Sequence, residues 1–137
     1  MTVSIIGSKS EASLELLALA RDNSVLEIDG IGKVAPGCEN VKLRVDQTNI
    51  LLGEGARVRG RPVLEIETDS IEGGHSCKIQ QVSKEKLFYL ESHGIDADTA
   101  EGMLLEGEIA HHLRIVDKWN DGMKEDILLK IFHKNPA

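Results

Sequence analysis

The sequence implies a mainly β body followed by two or three C-terminal helices. Three observations carry this. Up to Val82, short β-rich runs alternate with Gly, Pro, Asn and Asp turns. Beyond Val82, apolar residues recur at helical spacing. The third is composition: with one Trp, one Tyr and two Phe in 137 residues, the core must be built from Leu, Ile and Val, and 13 glycines turn the chain. A chain of this length forms one core with a small appendage, divided here into 1–82 and 83–137.

Taken in order, the expected strands are Val3 to Ile6, Leu14 to Ala18, Val25 to Ile28 and Val41 to Val45, then Asn49 to Leu52, Val63 to Ile66 and Ser76 to Val82. Asp22-Asn23, Asp29-Gly30, Pro36-Gly37, Gly53-Glu54-Gly55 and Glu72-Gly73-Gly74 separate them. Leu14 to Ala20 fits a strand or a short helix equally well. Ser83 is suited to cap a first helix, with Leu87 and Leu90 on one face and Gly94 as its stop. Asp96 or Asp98 can cap a second, which places Ala100, Leu104, Leu105, Ile109 and Leu113 at helical spacing. Asp121-Gly122 then breaks the pattern before a third amphipathic stretch, Met123 to His133.

The type of β body stays open between a sandwich and a β-helix. Hairpin signals of the Asn-Gly type are absent. Ile6, Ile28, Ile50 and Ile71 recur every 21 to 22 residues, about one coil of a right-handed β-helix. Contiguous aliphatic-Gly hexads are missing, which disfavours the left-handed hexapeptide form.

Composition excludes several function classes. With 16 basic and 23 acidic residues the formal charge is −7, which opposes a polyanion, and 3% aromatic residues leave little surface for stacking bases. At 41% hydrophobic and 28% charged, the chain falls in the ordinary soluble globular range. No run approaches the roughly 18 apolar residues of a membrane span. A signal-peptide start is absent, and two cysteines are too few for a secreted disulfide framework. The expected setting is the cytoplasm, with neither nucleic acid nor membrane as partner.

Glu72-Gly73-Gly74-His75-Ser76-Cys77 is the most informative cluster. On a strand, His75 and Cys77 stand at i and i+2 and project from one face, roughly 7 Å apart at Cα. Imidazole and thiolate suit zinc, or iron in a sulfide cluster. Two ligands make half a site, so Glu72 or a residue from another strand or chain has to complete it. The alternative is a buried, inert Cys77 and a hydrogen-bonded loop His75; spacing alone favours it. Cys38 reads as a free cysteine in a turn. Adjacent helical His111 and His112 diverge by about 100° and read as a solvated helix end, with Asp117 following. His93, just before Gly94, suits the negative end of a helix. Arg57, Arg59 and Arg61, with Glu65 and Glu67, read as charges on the solvent side of a strand, paired across the sheet. Phosphate loops, nucleophile elbows and C-x-x-C are absent, so no self-contained enzyme is expected.

Longer strings sharpen this. Gln47-Thr48-Asn49, Leu51-Leu52, Ala56, Pro62 and Leu64-Glu65-Ile66 resemble the Q-T-N-x-x-L-L…P-x-L-E-I run of the SufB/SufD family of iron–sulfur cluster assembly proteins. Glu72 to Gln80 and Leu87-Phe88-Tyr89-Leu90-Glu91-Ser92-His93-Gly94-Ile95 are similar to its H-G-A-T and F-Y-L-x-S-R-G-I regions. Ala100, Leu104-Leu105 and Gly107 continue the pattern, and Gly32-Lys33-Val34, Pro36-Gly37 and Asp46 precede it. The resemblance runs from about Leu26 to Glu108.

The resemblance implies a short right-handed parallel β-helix followed by helices, in a cytoplasmic complex with a SufC-type ATPase. His75 would match an interface histidine where a nascent cluster forms. Phe88, Tyr89, Leu90, Gly94, Ile95, Leu104 and Leu105 would match the ATPase-contacting helices. The family's cysteine two residues before that histidine is Gly73 here, with Cys77 two residues after. Ala56 stands where SufB has its scaffold cysteine, so the chain looks like a short SufD-like form lacking the N-terminal part. The expected role is a non-enzymatic assembly component with a transient iron or iron–sulfur site at His75, Cys77 and Glu72. Its partners would be the ATPase and a SufB/SufD-like chain or a second copy of itself. The rivals are an assembly partner with no metal role and a small metal-binding β-barrel enzyme.

Overall fold

The computed structural model describes residues 1–114 and 122–132, so Asp117, Trp119, Asp121 and His133 lie outside the described residues. The chain divides into two compact units, Met1–Gln81 and Val82–Ala137.

The first unit is built entirely from parallel strands: β1 (Thr2–Ile5), β2 (Glu11–Arg21), β3 (Val25–Val34), β4 (Val41–Leu52), β5 (Arg57–Ile66) and β6 (Ile71–Gln81). Alternate strands pair, giving one sheet of order β1-β3-β5 and a second of order β2-β4-β6. Each coil therefore visits both sheets before it stacks on the previous one, as in a parallel β-helix. The two-residue alternation of β4 explains the arrangement. Val41, Leu43, Val45, Gln47 and Asn49 are buried, whereas Lys42 and Arg44 are exposed.

Stacked partners lie 29 to 32 residues apart. The 21-to-22-residue isoleucine spacing is therefore not the coil. Ile28 pairs with Gly60 and Ile50 with Gln80, while Ile6 lies beyond β1 and is exposed. The coil is longer because it carries two strands of about ten residues each. The inward ladders mix residue types: Ile5–Val34–Ile66 in one sheet, Leu14–Val45–His75 and Leu16–Gln47–Cys77 in the other. Among the described residues the strands form two wholly parallel three-stranded sheets and no closed barrel, the architecture that a β-barrel enzyme would need.

Outward positions of the first sheet form charge rows. Arg59 donates to Glu27 at 3.1 Å, Arg61 holds both oxygens of Asp29 at 3.1 and 2.8 Å, and Lys33 pairs with Glu65. The Arg61 guanidinium, first by its hydrogen bonds and then by its charge, keeps the Asp29 carboxyl below the usual carboxylate range. Exposed pairs of this kind each contribute little to stability, but like charges in the same rows would oppose the register.

The second unit contains α1 (Lys84–Ser92), α2 (Ala97–His112) and α3 (Met123–Phe132). Ser83 caps α1 by accepting from the Lys86 N–H at 3.2 Å. Gly94, at φ +86°, ends it: its N–H donates to Glu91 O and that of Ile95 to Leu90 O, a complete Schellman motif. Asp96 caps α2, accepting from the Thr99 hydroxyl at 2.7 Å and the Thr99 N–H at 3.0 Å, and these bonds hold its carboxyl low. Ala100, Leu105 and Ile109 form the buried stripe of α2, which contacts α1 and α3. Among the described residues no helix is long and apolar enough to cross a membrane.

Candidate functional site

β6 brings His75 and Cys77 together. His75 is in register with Val45 and Cys77 with Gln47, both buried on the inward face of β4. Parallel partners share a face, so His75 and Cys77 also point inward. Among the described residues no strand stacks on β5 or β6 beyond these pairs, and both side chains are exposed at that end of the stack. Ile79, next on the same face, is 55% exposed.

Glu72 is not part of this group. It is in register with Lys42 on the outward face, and its carboxylate lies 3.2 Å from Lys42 Nζ. The two-residue alternation of β6 turns it away from His75 and Cys77, so it cannot complete a site with them in one chain. Among the described residues no group of three His, Cys, Asp or Glu side chains is placed to hold a metal ion.

Both cysteines are free, as was expected of Cys38. Cys38 is buried in the cluster of Ile5, Val34, Val41 and Leu43, and its carbonyl accepts from the Thr68 hydroxyl at 2.7 Å. Cys77, the one that spacing alone would have buried, is the exposed thiol. Its sulfur accepts from Asn49 Nδ2 at 3.5 Å and lies 3.8 Å from Gly60 O.

Beneath Cys77 lies a feature that the sequence analysis did not single out: a buried amide pair. Gln47 Nε2 donates to Asn49 Oδ1 at 2.9 Å. Asn49 Nδ2 also donates to Lys78 O at 3.2 Å. The signal was present in the alternation from Val41 onward, which places both amides on the apolar face. The expected strands Val41 to Val45 and Asn49 to Leu52 leave Gln47 between them, outside either strand. Gly60 in the facing sheet makes room for the pair, since a Cβ there would lie 2.5 Å from Gln47 Nε2.

In the helical unit, Phe88 and Tyr89 are 72% and 61% exposed, and Gly94 is exposed. Leu90, Ile95 and Leu104 are half-buried. Leu105 is buried on the interior stripe of α2, so it packs the unit and has no surface to offer a partner. His93 acts structurally: its Nδ1 donates to Tyr89 O at 2.8 Å, and its ring lies 4.4 Å from that of Tyr89. The His111 and His112 rings stand at 86°, and His111 accepts from Arg114 Nη2 at 2.8 Å.

Residues 1–108 match the family described as SUF system FeS cluster assembly, SufBD core domain. The chain belongs to the SufBD core family. The match takes in all six strands, α1 and most of α2. SufD of Bacillus subtilis is 29% identical over 104 residues, covering 76% of this chain and 24% of that protein. SufD of Escherichia coli is 26% identical over 122 residues, 87% of this chain and 28% of that one. A SufBD family protein of Mycobacterium leprae is 43% identical over 60 residues, 43% of this chain and 15% of its own. The chain thus spans about a quarter of the length of the SufD relatives it matches.

Proposed function

We propose that this SufBD core chain is a non-enzymatic, cytoplasmic component of iron–sulfur cluster assembly. In this reading it offers His75 and Cys77 as a transient half-site for iron or a nascent cluster. The observation that carries it is their exposure on one face at the end of the strand stack, in a chain of this family. Borderline and soft donors suit iron and sulfide-bound iron. Two donors cannot enclose an ion, so the remaining ligands come from a second chain. That chain is a SufB/SufD-like partner or another copy. Iron and cluster are cargo here, held and passed on.

Anaerobic reconstitution with ferrous iron and sulfide tests this. The expected result is charge-transfer absorbance in the visible that is lost in His75→Ala. Absence of absorbance in wild type, or its survival in His75→Ala, removes the metal role. A pure assembly partner is then left, a reading that Gly73 at the family's cysteine position already favours.

The helical unit is proposed to bind a SufC-type ATPase. Phe88 and Tyr89 are large apolar side chains held in water at the surface of a capped helix, the kind of residue that anchors interfaces. Co-purification with the ATPase subunit should fall at least tenfold in Phe88→Asp/Leu90→Asp while both units stay folded by circular dichroism. Undiminished binding would leave α1 without that role.

A further inference from the structure

Among the described residues the buried polar side chains are Gln47 and Asn49, on neighbouring inward positions of β4. Gln47 is 1% exposed and Asn49 0%, yet both carry amides on the inward face of β4. Their orientations are fixed. Lys78 O requires the Nδ2 end of Asn49, so Asn49 Oδ1 faces Gln47 Nε2. Asn49 Nδ2 is thereby also aimed at Cys77 Sγ. Gln47 Oε1 is left buried with no hydrogen-bond partner. Orphaned buried acceptors are rare because they lose their hydration without compensation. An apolar pair would fill this layer without that loss, so stability alone does not account for its polarity. What distinguishes the layer is its position directly under an exposed thiol, opposite a glycine that leaves room for both amides.

We infer that Asn49 is a positioning residue for Cys77, its amide N–H holding the sulfur at the end of the stack and tempering its donor strength toward a soft metal ion. The inference rests on the reading of His75 and Cys77 as a metal-holding pair and adds to it the group that tunes the sulfur. N–H···S bonds to a metal-bound thiolate draw electron density from the sulfur, and such outer partners orient and tune metal ligands. Asn49 can play this part because it cannot rotate: its acceptor end is held by Gln47 and its donor end by Lys78 O. Gln47 is in turn the residue that orients Asn49.

Anaerobic titration of the full chain with Co2+, a spectroscopic stand-in for ferrous iron, tests the inference. Wild type is expected to show thiolate-to-cobalt charge-transfer absorption that Cys77→Ser abolishes. Asn49→Leu should keep the absorption but move it to longer wavelength, because the sulfur has lost its N–H donor, and should weaken Kd about tenfold, because the sulfur is no longer held in position and that loss outweighs its stronger donation. A structural role alone would not move the band. If Asn49→Leu does not fold, Gln47→Leu/Asn49→Leu leaves neither amide orphaned and carries the same comparison. An unchanged band and affinity would overturn the role of Asn49 while leaving the metal reading intact. No thiolate band in wild type would instead overturn the metal reading. The role of Asn49 is then decided by alkylation of the metal-free protein. Iodoacetamide should modify Cys77 several-fold faster in Asn49→Leu, because the sulfur is no longer held against the Asn49 amide. Equal rates would end the inference.

Discussion

Gly32→Val lowers the unfolding free energy by about 1–3 kcal/mol, read as a fall in the urea midpoint at unchanged slope. Gly32 stands on the inward face of β3, in register with Val3 and Leu64. A Cβ there would lie 2.8 Å from Leu43 Cδ2, 2.9 Å from Val45 Cγ2 and 3.1 Å from Leu64 Cδ2. Leu43 and Val45 are buried in the opposite sheet and cannot swing into water. Relief must come from off-rotamer side chains or from separating the sheets, and both cost energy in a close-packed interior. The same geometry recurs at Gly30, where a Cβ would lie 2.6 Å from Leu16 Cδ1. Glycines on one wall thus let the two sheets approach closely. The controls differ sharply. Gly74 faces outward, with only Arg44 Nη1 at 3.8 Å, and Gly107 in α2 has open space around its Cα. Gly74→Ala should be close to neutral, and Gly107→Ala should stabilise by about 0.5–1 kcal/mol through helix propensity. A Gly32→Val protein as stable as wild type would mean that the sheets are not held at the spacing these distances describe.

Local rules were readable along the chain, and long-range ones were not. The caps and the stop are hydrogen-bond patterns within a few residues, so residue type alone located Ser83 and Gly94 and narrowed the α2 cap to Asp96 or Asp98, of which the structure uses Asp96. Strand positions were also found, but not their lengths. β4 read as two strands with Gln47 outside either, whereas Gln47 is an inward member of one long strand, buried by the facing sheet. Coil length was misread for a related reason. A ladder such as Leu14–Val45–His75 joins unlike residues, so the recurrence of isoleucines marks a spacing with no structural counterpart. The exposure of Cys77 and burial of Cys38 depend on which coil is last, and that is a property of the stack. His75 and Cys77 on one face were legible because that needs only strand alternation; the same alternation excludes Glu72. Family motifs supplied the parallel architecture that periodicity left undecided, and the paired registers bear it out.

Leu43→Ala should cost about 2–5 kcal/mol, the range for truncating a large aliphatic side chain in a packed core. Leu43 belongs to the cluster formed with Ile5, Val34, Cys38 and Val41, and Val3, Ala12, Leu64 and Ile71 pack against that cluster. Its neighbours belong to both sheets, so the vacated space closes only if the sheets move together. Continuous hydrogen-bonded ladders on either side resist that movement. The cost should therefore fall in the upper half of the range. Combining Leu43→Ala with Gly32→Ala gives the sharper test. The new methyl at position 32 would lie 2.8 Å from the place that Leu43 Cδ2 occupied, so truncating Leu43 removes the tightest of its three close contacts and leaves those with Val45 Cγ2 and Leu64 Cδ2. The double variant should be more stable than the sum of the single losses predicts, with a coupling of about 0.5–3 kcal/mol. Simple additivity would mean that the two positions do not share the volume between the sheets. Coupling of the expected sign ties the absence of a side chain at Gly32 directly to the presence of one at Leu43.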